Sequence, residues 1–346
     1  NNERYLAERE MGYEPAFVRN MLQLNIGYRL MGGKRIPYFS EIGQLSGIDA
    51  TDWSWSVLLA DFNCDGWKDM HITNGIGRDF IHGDFLEFSS SIFSSNLSRE
   101  EQERKIRQKI SGQKPVELPN YLFLNNKGLI FSDHSAAGGI NKKAISNGAA
   151  SVDLDNDGDL DLVVNNINSE AFVFLNNTFD NRKESKTHSL RIQLKNAESQ
   201  NQSAFGAKLF LYSGGLVQML EQNPVRGYFS SVDQRLFFGL GENVYADSLR
   251  VIWPDGRISV MHQIKADTLL TVFSEQATFE PEPKISMPPF LFQDITGESG
   301  ISYKHTEVPY NDFAFQRLLP QKYSQQGPYI ATGDINGNKR TDFFFF

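Results

Sequence analysis

Residues Asp153 to Asp161 read Asp-Leu-Asp-Asn-Asp-Gly-Asp-Leu-Asp, five carboxylates in nine positions. Unit charges about 5 Å apart repel by roughly 0.8 kcal/mol per pair even at the dielectric of water. A segment that crowds acids this way is costly unless a cation lies among them. Hard oxygen ligands at alternate positions, with a glycine at the sixth for a sharp turn, suit Ca²⁺. The expected ligands are the side chains of Asp153, Asp155, Asp157 and Asp161, with the carbonyl of Asp159 at the seventh position.

The same grammar recurs twice. Residues 61–69 offer Asp61, Asn63, Asp65 and Asp69 with the carbonyl of Trp67, and residues 334–342 offer Asp334, Asn336, Asn338 and Asp342 with that of Arg340. An EF-hand would need a bidentate Glu at position twelve and flanking helices. Position twelve is Ile72 in the first loop and Val164 in the second, and short β-rich runs follow each. An EF-hand is therefore excluded. The third loop departs from the pattern, with Asn338 in place of an acid and Lys339 in place of glycine. A non-glycine residue at positive φ costs on the order of 1 kcal/mol, so two calcium sites are expected and the third is left open.

The chain has 346 residues, room for two or three domains. Its net charge of −8 argues against a nucleic-acid partner, although much of the acidity sits in the loops themselves. No apolar run approaches the roughly 18 residues of a membrane span. Cys64 is the single cysteine, which excludes an internal disulfide framework. The chain starts without Met, shows no signal peptide, and stops at four Phe just after the third loop, so a piece of a longer protein is expected.

Internal similarity extends beyond the loops. The second loop is preceded by Tyr121 to Asn125, a turn, and Phe131 to Asp133. The first is preceded by Met21 to Asn25, a longer connection over Gly27 to Pro37, and Phe39 to Ile42. Further versions are Phe172 to Asn177 and, before the third loop, Phe292 to Ile295. The repeating unit is strand, turn, strand, connection, calcium loop, strand, which suits the radial blades of a propeller. Two segments interrupt it. Residues 83–119 carry a capping-box pattern from Ser98 to Glu101, with Ile106 and Ile110 four apart, and are expected to form a short helical insertion. Residues 188–280 are β-rich without the loop grammar, with strands expected at 190–194, 207–212, 216–221, 248–253 and 269–273. They read as a separate small β-domain, with Pro281 to Pro289 as a stiff return link.

The loops with their flanking strands resemble FG-GAP/VCBS repeats, the blades of calcium-bound propellers. Within 188–280, Phe205 to Lys208, Arg226 to Ser231, Phe238 to Gly241 and Ser248 to Gly256 resemble the ASPIC/UnbV domain. That domain accompanies such repeats in cartilage acidic proteins and in large bacterial surface proteins. Gln316 to Pro320 and Ser324 to Pro328 place the chain nearer the bacterial kind. The fold class is thus expected to be all-β. Residues 1–82 and 120–187 would form propeller blades, 83–119 the helical insertion, 188–280 the ASPIC/UnbV-like domain, and 281–346 a linker and the start of a further repeat.

Catalytic signatures are sparse. The six histidines form no zinc spacing, and no nucleophile elbow, phosphate loop or dinucleotide fingerprint occurs. His71 reads as a packed strand residue, and Trp53 and Trp55 as core rather than a sugar platform. The expectation is a non-enzymatic, calcium-binding protein of the cell exterior or bacterial envelope that binds a protein or glycan. The resemblance implies an outer-membrane surface location beside a Sus-type uptake complex. The alternative is a carbohydrate-active enzyme such as a propeller lyase or hydrolase, since a carboxylate pair cannot be read from sequence.

Overall fold

The computed structural model describes residues 19–31, 34–79, 83–179, 186–197, 199–279, 292, 294–300, 302–306, 310–316, 324 and 329–345. It divides into two compact units, one ending at Pro281 and one beginning at Glu282.

The first unit opens with a hairpin, β1 (Gln23–Met31) against β2 (Lys34–Glu41). The connection expected over Gly27 to Pro37 is instead the body of these strands. The ladder survives an irregularity between Asn25 and Tyr28, where Gly27 takes φ 109° and donates its N–H to the Asn25 side chain at 2.9 Å. A bulge absorbs the extra residue without ending the pairing.

A short helix (Gly43–Ser46) leads into β3 (Ser54–Ala60), the first loop and β4 (Asp69–Asn74). Two helices follow, Gly83–Phe93 and Arg99–Ser111. The second begins at the anticipated capping box, the Ser98 side chain accepting from the Glu101 N–H while Glu101 reaches back. The first was not anticipated, because its Ser-rich sequence hides a contact face that only Phe85 and Ile92 bury. The chain returns through β5 (Leu118–Pro119), β6 (Tyr121–Asn125) and β7 (Phe131–Asp133). It goes on to β8 (Lys143–Ala144), β9 (Ser146–Val152), β10 (Asp161–Asn166) and β11 (Phe172–Phe174).

Strands β3, β4, β6 and β7 form one antiparallel sheet in that order, with both helices inserted between the neighbours β4 and β6. Strands β9, β10 and β11 form a second. The second loop joins β9 to β10 as the first joins β3 to β4. The edge strands β3 and β9 pack together. Leu58, Ala149, Leu162, Val164 and Phe172 are buried between the two sheets, while Ile48, Met70, Ile72 and Phe123 form a separate cluster. Buried from end to end, β4 places His71 in full burial, which pushes its pKa down to about 4.

Residues beyond 187 add β12 (His188–Lys195), β13 (Lys208–Ser213), β14 (Leu216–Glu221) and β15 (Leu236–Gly241). These are followed by β16 (Tyr245–Ile252), β17 (Ile258–Lys265) and β18 (Thr268–Phe273). They make two sheets, β15-β12-β18 with β12 and β18 parallel, and β14-β13-β16-β17. Between them lies a core with Leu190, Ile192, Leu209, Leu211, Phe238, Leu249 and Trp253. Strands β15 and β17 were not expected. The first carries two glycines within six residues, and the second spends half its positions on polar side chains, so neither shows the usual alternation. Although this module has its own core, it belongs to the same compact unit as the first two sheets.

The second unit contains a short helix (Asp312–Phe315) and a hairpin of β19 (Ile330–Gly333) and β20 (Asp342–Phe345) joined by the third loop. Phe292, Asp294 and Ile295 are not in a strand. The expected link over Pro281 to Pro289, the runs 317–320 and 325–328, and Phe346 lie outside the described residues. The fold is all-β, and the described sheets do not close a ring. No described helix is long and apolar enough to cross a membrane.

Candidate functional site

All three acidic loops fold to one hydrogen-bonding plan. The second-position N–H donates to the ninth-position Asp in each: Phe62 to Asp69 at 2.9 Å, Leu154 to Asp161 at 2.7 Å, Ile335 to Asp342 at 3.1 Å. The fifth-position N–H donates to the third-position side chain, Asp65 to Asn63 (3.2 Å), Asp157 to Asp155 (3.2 Å) and Asn338 to Asn336 (3.0 Å). The seventh-position N–H donates to the fifth-position side chain, Trp67 to Asp65 (2.9 Å), Asp159 to Asp157 (3.0 Å) and Arg340 to Asn338 (2.8 Å). These bonds fold each loop back on its own third-, fifth- and ninth-position side chains.

The ninth Asp has a second duty. In the first two loops its other oxygen accepts from an N–H at or just past the end of the third strand, Asn125 for Asp69 and Asn176 for Asp161. Those asparagines donate back to the eighth-position carbonyls of Lys68 and Leu160. Asn176 also donates to the Phe62 carbonyl at 2.7 Å, tying one sheet to the other loop. The Phe-Leu-Asn runs therefore repeat because each asparagine clamps its loop, a role the sequence pattern showed only as a turn.

Two left-handed residues shape each loop. Position six is Gly66 (φ 92°), Gly158 (φ 102°) or Lys339 (φ 63°), and position four is Cys64 (φ 60°), Asn156 (φ 64°) or Gly337 (φ 72°). The strain expected to single out the third loop is therefore shared, since each loop holds one non-glycine at positive φ. In the third, the glycine has changed places. Its residues are exposed except Asp342, which is half-buried.

In the second loop Asp153, Asp155 and Asp161 bring a carboxylate oxygen each within 4.8 Å of one another. Asp153 Oδ1 and Asp159 Oδ1 are buried with no hydrogen-bond partner. An unpartnered buried carboxylate oxygen is expensive, and Asp153 Oδ1 is one that a cation would satisfy. Asp159 uses Oδ2 to accept from the Phe179 N–H at 3.0 Å and is fully buried. Burial raises its pKa to about 7, and burial likewise pushes Asp157 upward. In the first loop, burial and then the charge of Asp69 raise Asp61 to about 8, and burial raises Asp69 to about 6. The donor set is all oxygen, hard and anionic, which fits Ca²⁺ rather than a thiolate- or imidazole-seeking metal. Among the described residues, the carboxylate triad of the second loop is the one that meets this closely.

The module lies directly on both loops. Gly241 donates its N–H to the Cys64 carbonyl at 2.8 Å. A Cβ on Gly239 would lie 1.9 Å from Asp61 Oδ2 and 2.7 Å from the Cys64 backbone. On the second loop, Ser189 Oγ donates to the Gly158 carbonyl at 2.6 Å and Arg191 pairs with Asp153 at 2.5 Å. Arg235 donates to Asn156 Oδ1 at 3.1 Å. A third contact runs from the Tyr228 N–H to Ser56 Oγ on β3, and a Cβ on Gly227 would meet the same hydroxyl. Trp55 donates to the Gly75 carbonyl at 2.6 Å and packs edge-on against Tyr228. Sequence reasoning missed Arg191 and Arg235, since no spacing rule links a residue to a loop thirty or more positions away.

The runs Arg226 to Ser231 and Phe238 to Gly241 thus make the seam between module and loops. Residues 197–279 match the family described as ASPIC and UnbV. No curated protein matches the chain. An ASPIC/UnbV domain is therefore present in this all-β chain, seated on the first and second acidic loops.

Proposed function

We propose that the chain is a non-enzymatic, calcium-stabilised portion of a β-propeller of the FG-GAP/VCBS kind, acting outside the cell as a binding or scaffold protein. The observation that carries this reading is the threefold recurrence of one loop plan with its ninth-position Asp clamp. The meander order of the β3-β4-β6-β7 sheet and the packing of β3 on β9 of its neighbour support this reading, in which those two strands would be innermost in successive blades. Calcium would be held by Asp61, Asn63, Asp65 and Asp69 in one loop and by Asp153, Asp155, Asp157 and Asp161 in the other. Bound there, the ion neutralises crowded carboxylates and pins strand to strand. Such sites fill at the millimolar calcium found outside cells and stay empty inside, which argues for an extracellular or envelope location. The partner is a protein or glycan at that surface, and the family resemblance suggests a Sus-type uptake complex.

With a Kd of about 10⁻⁴ M and 1 mM calcium, each site adds roughly 1.4 kcal/mol. Thermal unfolding in calcium and in chelator, with elemental analysis of the dialysed protein, tests the reading. A higher Tm in calcium and about two bound ions are expected. Equal melting temperatures and no retained metal would defeat it.

A further inference from the structure

Beside the two loops, between the first sheets and the module, lies a cleft of about 80 Å³. That is well above the roughly 10–15 Å³ needed to admit a single water, and it leaves room for one small anion. Four cationic side chains line it, Lys68, Arg191, Arg226 and Arg235, against three carboxylates, Asp61, Asp153 and Asp233.

Each of the carboxylates already has a partner on at least one oxygen. Asp153 is paired with Arg191 and Asp233 with Arg235, both at 2.5 Å. Asp61 accepts from the N–H groups of Asp65 and Gly66. Lys68 and Arg226 remain. Among the described residues neither has a carboxylate within ion-pair distance, and Arg226 donates only to the neutral Glu221 carbonyl at 3.1 Å. Two like charges facing one half-enclosed space repel each other and lack the compensation that the neighbouring arginines enjoy. Gln218 and Asn223 also line the cleft, though Gln218 Nε2 already donates to the Gly239 carbonyl at 2.7 Å and Asn223 Oδ1 accepts from the Val225 N–H at 3.1 Å.

We propose that this cleft is a binding site for a small oxyanion, a sulfate, phosphate or carboxylate group, held between Lys68 and Arg226. Lys68 acts as a point charge and Arg226 as a planar fork able to bind two oxygens at once. Lys68 belongs to the first loop and Arg226 to the module, so the anion bridges the two across their seam. The donors are cations rather than loop carboxylates, but Asp61 and Asp153 line the same cleft, so anion binding is read both with and without calcium.

Isothermal titration of the full chain tests it, with sodium sulfate in calcium-saturated buffer and sulfate or phosphate in chelator. Sodium acetate serves as the carboxylate arm, and sodium chloride at matched ionic strength as the control. Saturable binding of at least one oxyanion and none of chloride is expected, and the arm that binds identifies the source. Lys68→Gln and Arg226→Gln should each weaken it at least tenfold, with Lys68→Arg and Arg226→Lys losing less. Circular dichroism establishes that each variant is folded, and the conservative pair carries the test if a glutamine variant is not. No saturable binding of any oxyanion, or unchanged binding in folded variants, overturns the proposal. Calcium content, measured separately, keeps that outcome distinct from failure of the metal reading.

Discussion

The first and second loops share a sequence grammar and an internal bonding plan, yet the module grips them by different physics. It holds the first by close backbone approach, with Gly239 against Asp61 and the Gly241 N–H on the Cys64 carbonyl. It holds the second by charge, with Arg191 on Asp153 and Arg235 on Asn156. A steric seam tolerates no added atom, and neither salt nor metal relieves the clash. A charged seam is sensitive to whatever else neutralises the acid it uses. The two loops are therefore separable by experiment although they look alike in sequence.

The largest effect should come from pH, because crowding touches both loops at once. Asp61, Asp69 and Asp159 titrate near about 8, 6 and 7 in the fold, against about 3.9 when unfolded. Between those values the folded chain holds more protons than the unfolded one, so stability falls as pH rises. In chelator, Tm should decline from about pH 5 to pH 8. Calcium binds the ionised form, so it should flatten that slope and have its greatest effect at the alkaline end. A slope unchanged by calcium would remove these acids from the metal sites.

The charged seam comes next. Asp153 is 3% exposed at its side chain and Arg191 16%, so Arg191→Met leaves a buried carboxylate uncompensated. A cost of about 3 kcal/mol is expected in chelator. In calcium the ion supplies the missing charge, and the cost should fall below about 1 kcal/mol. Denaturant unfolding in the two buffers measures both. Equal costs would mean that Asp153 faces the arginine alone.

Gly239→Ala probes the steric seam. The added methyl meets the Cys64 backbone and the end of the Asp61 side chain, which is held by the N–H groups of Asp65 and Gly66. About 2 kcal/mol of destabilisation is expected, and because Asp61 is itself a proposed calcium ligand, the cost should not shrink in calcium as that of Arg191→Met does. A cost that falls in calcium, as for Arg191→Met, would collapse the contrast between the loops.

What the sequence made legible follows the range of the interactions. The loops, the capping box at Ser98 and the strands around Leu190, Leu209, Leu220 and Val251 are written in residues a few positions apart. The β15 strand was invisible because its glycines, Gly239 and Gly241, are there for a neighbour far along the chain. Arg191 and Arg235 were invisible for the same reason. The position-four residues went unread because Cys64 gives no hint of φ 60°. Asn125 and Asn176 were seen as turn residues, and only the fold reveals that they hold the ninth Asp of each loop.

The smallest effect belongs to the third loop. Lys339 occupies position six at φ 63°, where the other two loops carry glycine, and Gly337 already supplies position four. Lys339→Gly removes the steric penalty of a left-handed side chain and adds freedom to the unfolded chain, two terms of opposite sign. A net gain of about 0.5 kcal/mol is expected, read as slower amide exchange over Asp334 to Asp342. The same change leaves Asn338 without a carboxylate, so calcium affinity should hardly move. Adding Asn338→Asp supplies the missing acid, and if calcium then slows exchange further, charge rather than backbone strain limits this loop. If the glycine alone confers calcium sensitivity, the strain argument is restored.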